Sequence, residues 1–592
     1  MADASIKKVC VIGAGTMGAG IAAQIANAGV PVLLLDIVPK DGDNRNAIAE
    51  GAVKKMLKTD PAPFMGKRAA KLVETGNIED HLGKVAECDW VVEAIIERLD
   101  IKQNLYARLE EVRTAGTAVS SNTSTIPLEN LTDGRSDAFK QDFLITHFFN
   151  PPRYMRLIEL VAGPQSNPDT VEMVREFVDR KLGKTPVDAE DSPGFIANRI
   201  GTFWIQQAVN SAFDMGMTVE EVDEIGGRPM GVPKTGIFGL IDLIGIDLMP
   251  HLMESLTSTL PKDDWYQKIA RSETLIEGMI ENGYTGRKGK GGFYRINREG
   301  GGKVKEAKDL KSGEYRAAAR PGLVRGAAKK DLKALISTDG KVGDYAWAVL
   351  GPTLSYAASI VPEATASVVG VDEAMKLGYN WKSGPFEMID KIGVAHLIER
   401  LEADDMAVPQ ILKMADGRKF YRIEDGKRQY LGTDGEYHDV VRAEGVLLLE
   451  DIKLSAEPLM ANGSAALWDV GDGVVALEFT GKMNALDEQV MKLIQNAIPL
   501  VKKDYKALVV YNEGSNFSAG ANLGLALFAL NIAAWGEVEK SIKGGQDAYK
   551  ALKYAPFPVI SAPFGMALGG GCEICLNSDG IQAHAETYIG LV

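Results

Sequence analysis

The chain has 592 residues, 45% hydrophobic and 25% charged, the mixture of an ordinary globular protein, and at about 150 residues per domain its length asks for roughly four units. With 66 Lys and Arg against 80 Asp and Glu, the net charge of −14 argues against nucleic acid or an anionic membrane as the main partner, because both need clustered cations. Four cysteines cannot form a disulfide framework, the longest apolar run (Leu523–Trp535) is too short for a membrane span, and the N-terminus has no signal-peptide layout, so a cytoplasmic location is expected.

In chain order, Lys8–Ile12 predicts a short buried strand. Gly13-Ala14-Gly15-Thr16-Met17-Gly18 follows at once and opens a helical stretch, Ala19–Ala28, with Gly29 at its C-cap. A second apolar strand, Val32–Leu35, ends on Asp36. A lone GxGxxG is weak, but with strand, helix, second strand and terminal acid in register it predicts a dinucleotide site. Gly13 permits the tight turn, Gly15 admits a pyrophosphate to the backbone, and Gly18 lets helix pack on strand. The helix start at Thr16 and Met17 offers free N–H groups to the diphosphate. Asp36 can hold both ribose hydroxyls and repels a 2′-phosphate, which favours NAD over NADP; nearby Lys40 pulls the other way.

Further on, Trp90–Glu93 reads as a strand leading to Ala94-Ile95-Ile96-Glu97 and a helical run, Lys102–Val112. Ala118–Ser121 runs into Asn122-Thr123-Ser124, and Phe143–Thr146 delivers His147-Phe148-Phe149-Asn150-Pro151. The apolar strand Leu157–Val161 carries one acid, Glu159. Ligands of open parallel sheets bind beyond the carboxyl ends of the strands, where Asn122, Ser124 and His147 fall. Oxidising an alcohol requires a base for its hydroxyl proton. Imidazole titrates near the working pH, and a carboxylate on its other nitrogen fixes the tautomer. A structural histidine among aromatics, beside a solvated strand acid, is the plain alternative, and the pattern alone leaves both open.

Gly13–Gly18, Ser121-Asn122-Thr123-Ser124, His147-Phe148-Phe149-Asn150-Pro151 and Asp191-Ser192-Pro193-Gly194-Phe195-Ile196-Ala197-Asn198-Arg199, in this order, resemble the L-3-hydroxyacyl-CoA dehydrogenases over about residues 5–300. The resemblance implies that His147 is the catalytic base and Glu159 its orienting partner, with Ser124 and Asn198 on the substrate side. It also implies NAD contacts at Glu97, Lys102, Asn122, Asn150 and Lys288, the last within Gly286–Tyr294. Lys54 and Lys58 match a helix placed near CoA phosphates, although a solvated basic face would look the same.

Gly236-Ile237-Phe238…Asp242…Gly245 recurs as Gly384-Pro385-Phe386…Asp390…Gly393, and Val222-Asp223-Glu224 as Val371-Asp372-Glu373, so the helical domain is duplicated. The second copy lacks an answer to Asn198 and is expected to pack over the first. Asp425-Gly426 and Asp434-Gly435 predict hairpins. Phe517–Leu523 and Ala567-Leu568-Gly569-Gly570-Gly571-Cys572-Glu573 resemble the enoyl-CoA hydratase (crotonase) family over about residues 463–592. That likeness implies an oxyanion hole from the amides of Ala521 and Gly570 and a catalytic carboxylate at Glu573. It also places a second acid one position beyond Val592, so the module is expected to be truncated and to hydrate only within a longer polypeptide. Cys572 and Cys575 form a CxxC without a second pair, and no metal is expected.

The expected fold class is α/β. A Rossmann NAD-binding domain (1–187) precedes an all-α dehydrogenase C-terminal domain (188–298), a linker (299–335) and a degenerate second helical repeat (336–415). A β-rich bridge (416–462) and a partial crotonase domain (463–592) complete the chain. The function implied is NAD-dependent oxidation of L-3-hydroxyacyl-CoA in fatty-acid β-oxidation. The expected partners are an acyl-CoA substrate and, among proteins, a second copy of the chain or a thiolase. Two rivals are a dehydrogenase of hydroxy acids without CoA and a catalytically silent structural or NAD-sensing relative. The crotonase motifs argue against the first, and the intact Ser124, His147, Glu159 and Asn198 set argues against the second.

Overall fold

The computed structural model describes residues 6–298 and 302–591. Gly300, in the expected linker, and Val592, at the end of the expected crotonase segment, lie outside the described residues. The chain divides into two units, one of Met1–Tyr421 with Tyr430–His438 and the other of Arg422–Gln429 with Asp439–Val592.

The first unit opens with eight strands: β1 (Val9–Ile12), β2 (Val32–Asp36), β3 (Val73–Asn77), β4 (Trp90–Glu93), β5 (Ala118–Ser121), β6 (Phe143–Phe148), β7 (Leu157–Ala162) and β8 (Thr185–Asp188). Their order is β3-β2-β1-β4-β5-β6-β7-β8, parallel as far as β6. β1 and β4 are buried along their whole length, because helices cover both faces of the sheet. Helix α1 (Thr16–Asn27) links β1 to β2 and α2 (Ala47–Met56) follows β2. The chain reverses its direction of travel across the sheet between β1 and β4, which opens a ligand crevice at their carboxyl ends. β7 turns back antiparallel to β6 and sets His147 directly opposite Glu159.

The helix Ala197–Asp214 packs against its counterpart in the second copy, Lys341–Ser359, with Phe203 stacked on Tyr356 at 4.1 Å and Tyr345 donating to the Ala208 carbonyl at 3.1 Å. The duplication extends to individual hydrogen bonds. Asp223 accepts from the amides of Phe238 and Gly239 and the Tyr294 hydroxyl, while Asp242 accepts from the amides of Phe293 and Tyr294. In the second copy Asp372 accepts from the amides of Phe386 and Glu387 and the Tyr421 hydroxyl, and Asp390 from those of Phe420 and Tyr421. The hydrogen bonds shared by the two copies run on to Tyr421 in the second. Within residues 302–335, Val304–Lys308 pairs with both Tyr294–Asn297 and Tyr315–Ala317. These strands are short, only partly buried and rich in charged residues, so they lack the apolar alternation that marks a strand in sequence.

In the second unit, strands Ala465–Asp469 and Val474–Phe479 form an antiparallel pair, continued in parallel by Ala507–Val510, Val559–Ser561 and Gly580–Ile581. The helix Glu488–Asp504 buries Val490, Leu493, Ile494, Ala497 and Val501, one stripe at helical spacing. Asp425 and Gly426 both have positive φ, +50° and +71°, as a tight hairpin turn demands. Among the described residues no helix is long and apolar enough to cross a membrane.

Candidate active site

The glycine loop after β1 is built by exclusion. Gly13 has φ +105°, and a Cβ there would lie 2.4 Å from the Ala94 carbonyl oxygen. At Gly15 the reverse holds: a Cβ would meet nothing within 4 Å, leaving open space over the first turn of α1, whose N-cap supplies no side-chain acceptor. Asp36 ends β2 and accepts from the amides of Ala14 at 2.5 Å and Ile37 at 2.7 Å, so the loop itself orients the acid. Unclaimed N–H groups over an open cradle, with a carboxylate beside them at the switch point, fit the diphosphate and ribose of NAD.

A second layer was not foreseen from the sequence. Glu93, fully buried at the end of β4, accepts from Lys102 at 2.7 Å, Tyr106 at 2.5 Å, Ser121 at 2.7 Å and the Ile95 amide at 2.8 Å. Burial and the Glu93 carboxylate together push the Tyr106 phenol well up. Lys102, expected beside the cofactor, is 1% exposed and spends its charge on Glu93 and, at 3.2 Å, on Glu97. Glu97 in turn accepts from the Thr123 hydroxyl at 2.5 Å and the Ser124 amide at 3.1 Å, which holds the loop after β5 in shape. Asn122 receives the Phe148 amide at 2.9 Å and ties that loop to β6.

The densest arrangement surrounds His147. Its Nδ1 lies 2.6 Å from Glu159 Oε2, with both side chains buried. The other carboxylate oxygen accepts from the amides of Ile196 at 3.1 Å and Ala197 at 2.8 Å, where the helix Ala197–Asp214 begins. A helix start is a favourable seat for a carboxylate, so Glu159 is fixed from both sides. Phe149 and Phe195 flank the imidazole with ring centroids at 4.6 and 5.4 Å. The Gly194 amide donates to the Ser124 carbonyl at 3.0 Å, which draws the Ser124 loop to the helix carrying Asn198. Among the described residues, the Ser124 hydroxyl and the Asn198 amide have no partner and are half-buried. Arg199, 2% exposed, is gripped by Asp264 at 2.6 Å and, from the second copy, by Tyr356 at 3.0 Å and Glu363 at 2.8 Å. Buried Lys184, lowered to about 8 by desolvation, donates to the carbonyls of Pro152 and Met155 and so clamps the turn after Asn150.

Other expected residues stand apart from this cluster. Asn150 is exposed, Lys288 pairs with Asp247 at 2.8 Å, Lys54 pairs with Glu50 at 3.4 Å, and Lys58 is exposed beyond α2. In the second unit, a Cβ on Gly570 would lie 3.7 Å from the Ala521 nitrogen, and neither amide donates to another described residue. Glu573 sits in the first turn of the helix Gly570–Leu576, and together with burial it pushes the facing Tyr549 phenol up. Burial also holds the Cys575 thiol up to about 11.

An imidazole backed by a buried carboxylate, next to a crevice shaped for a dinucleotide, defines an NAD-dependent dehydrogenase. Family comparison specifies which. The chain matches the 3-hydroxyacyl-CoA dehydrogenase NAD binding domain at residues 8–192 and the corresponding C-terminal domain at 194–296 and 345–413. The enoyl-CoA hydratase/isomerase family matches residues 470–592. A Bacillus subtilis (strain 168) protein named "Probable 3-hydroxyacyl-CoA dehydrogenase" is 37% identical over 99% of this chain and 77% of its own length. A Rickettsia felis protein assigned by name as a fatty acid oxidation complex trifunctional enzyme is 38% identical over 99% of this chain and 78% of its own. The crystal structure of 3-hydroxybutyryl-CoA dehydrogenase from Escherichia coli K12 shares the fold, with a TM-score of 0.53 at 23% identity over 69% of this chain and 98% of that one. The chain belongs to the 3-hydroxyacyl-CoA dehydrogenase family and carries an enoyl-CoA hydratase/isomerase domain after the dehydrogenase domains.

Proposed function

We propose that the first unit oxidises the 3-hydroxyl of an L-3-hydroxyacyl-CoA, with His147 as general base, in the oxidation of fatty acids. Gly15 and Asp36 would hold the diphosphate and ribose of NAD, which would supply the hydride acceptor. His147 Nε2 takes the hydroxyl proton, while Nδ1–H donates to Glu159, whose charge stabilises the imidazolium that forms. Ser124 and Asn198 offer unspent polar groups to the substrate. The observation that carries this reading is the 2.6 Å contact between His147 and Glu159, whose second oxygen is already held by two helix amides. In the second unit, the Ala521 and Gly570 amides suit the oxygen of a thioester enolate, with Glu573 as the adjacent acid–base group.

The experiment is His147→Ala, assayed by NADH consumption with acetoacetyl-CoA. Turnover falls by about 10²–10⁴, the usual worth of a positioned acid–base group, while NAD affinity stays near wild type. Collapse of NAD affinity would make His147 a structural residue.

A further inference from the structure

The first helical copy holds a basic cleft that the dehydrogenase chemistry does not use. It has a volume of about 790 Å³ and is lined by Lys234, Arg287, Lys290, Arg295, Arg298 and Lys305. The opposing charge is small. Arg295 pairs with Glu306 at 2.6 Å, but the other five cations have no carboxylate within ion-pair distance among the described residues. Lys290 donates to the Asn282 carbonyl, and Lys305 lies over the Tyr294 ring at 3.9 Å. Both contacts leave the charge uncancelled. The two acids in the wall, Asp223 and Asp242, already accept five hydrogen bonds between them, and burial pushes them up to about 7 and about 6.

The second copy shows that the fold does not need this construction. It repeats both carboxylate latches, yet there Gly417-Arg418-Lys419 runs straight into Phe420-Tyr421. The first copy instead interposes Gly289-Lys290-Gly291-Gly292 between Lys288 and Phe293. Those residues supply a lysine to the wall of the cleft, while the amides of Gly289, Lys290 and Gly292 are spent on backbone carbonyls. Latching Tyr294 therefore does not explain them. Gathering six cations on one wall costs electrostatic energy, which a multivalent anion would offset. Lys288, the cation of this loop expected near NAD, turns away to Asp247 and does not line the cleft.

We propose that this cleft binds the clustered phosphates of a nucleotide, with the exposed face of Ile296 beside them for the base. A cleft of this size lies within the range of small-molecule sites. A free nucleoside diphosphate and the 3′-phosphoadenosine portion of CoA share this chemistry, and binding data separate them. The proposal stands independently of the role assigned to His147.

The test is titration calorimetry on the full chain at saturating NAD, with ADP, adenosine 3′,5′-bisphosphate and inorganic phosphate as separate probes. One nucleotide binds per chain, and its affinity falls by about tenfold or more in Lys234→Glu/Arg287→Glu, because each reversal removes a charge-assisted contact. Dehydrogenase turnover and the circular dichroism spectrum of that variant match wild type. Preference for the bisphosphate assigns the cleft to a CoA-type ligand, preference for ADP assigns it to a free diphosphate, and equal affinity supports the shared chemistry. The proposal is overturned by absent binding at saturating NAD, by binding insensitive to the charge reversal, or by inorganic phosphate binding as tightly as either nucleotide.

Discussion

Replacing Glu159 by glutamine tests the site at one atom. The glutamine amide has two orientations. With its oxygen toward the amides of Ile196 and Ala197, both backbone donors stay satisfied and its NH₂ faces His147 Nδ1. With the amide flipped, NH₂ opposes two buried N–H groups, and each unsatisfied donor costs about 1–3 kcal/mol. The first orientation wins by that margin. It forces Nδ1 to accept, so the ring proton moves to Nε2 and the atom facing the substrate can no longer act as a base. Loss of a positioned base lowers turnover by about 10²–10⁴, or roughly 3–5 kcal/mol of transition-state stabilisation. Folding and NAD affinity remain near wild type, since no cavity forms and the helix start stays capped. Glu159→Ala is the contrast: it abandons both amides and loses stability as well as rate. The measurements are steady-state NADH consumption with acetoacetyl-CoA, NAD titration and denaturant melts for both variants. Wild-type turnover in Glu159→Gln would refute the pairing as a catalytic device.

Asp36→Ala should weaken NAD and relax discrimination against NADP, measured as the ratio of kcat/KM for the two cofactors; an unchanged ratio removes Asp36 from ribose recognition. Arg199→Met should destabilise the first unit by about 3–5 kcal/mol in denaturant melts, because it strands the Asp264 carboxylate, whose side chain is 5% exposed. Adding Asp264→Leu should restore most of that loss, and no restoration would mean that the charge is not the cause. Burial and nearby Glu387 push Asp372 up to about 8. A carboxyl raised on folding contributes stability that is complete below its unfolded value and fades as pH rises through the folded one, so melting temperature should decline between about pH 4 and pH 8 and level off above. Asp372→Asn should flatten that decline, and an equally steep fall in the variant would locate the effect elsewhere.

The Rossmann frame was legible because its signals are local: a glycine turn between an apolar strand and a helix, and an acid closing the next strand. The pair of His147 and Glu159 was half-legible. A single acid in an apolar strand marks itself, but its register opposite the histidine comes from the β6–β7 reversal. Glu93 was missed because an acid at a strand end looks like one bound for solvent, and only folding brings Lys102, Tyr106 and Ser121 onto it. Lys184 was missed for a related reason. Its carbonyl partners lie some thirty residues upstream and carry no side-chain signature. The strand Val304–Lys308 escaped because three of its five residues are charged, which hides the apolar alternation of a strand.

The grip of the second helical copy on Arg199 has a consequence in mass action. Tyr356 and Glu363 reach a residue beside the active-site helix start from within the same polypeptide, tethered about 160 positions downstream. A support borrowed from a separate chain is lost on dilution, since its occupancy follows the dissociation constant of the assembly. Here the brace is present at every concentration. The part of the helix start's setting supplied by Tyr356 and Glu363 therefore does not depend on how many copies of the protein the cell contains.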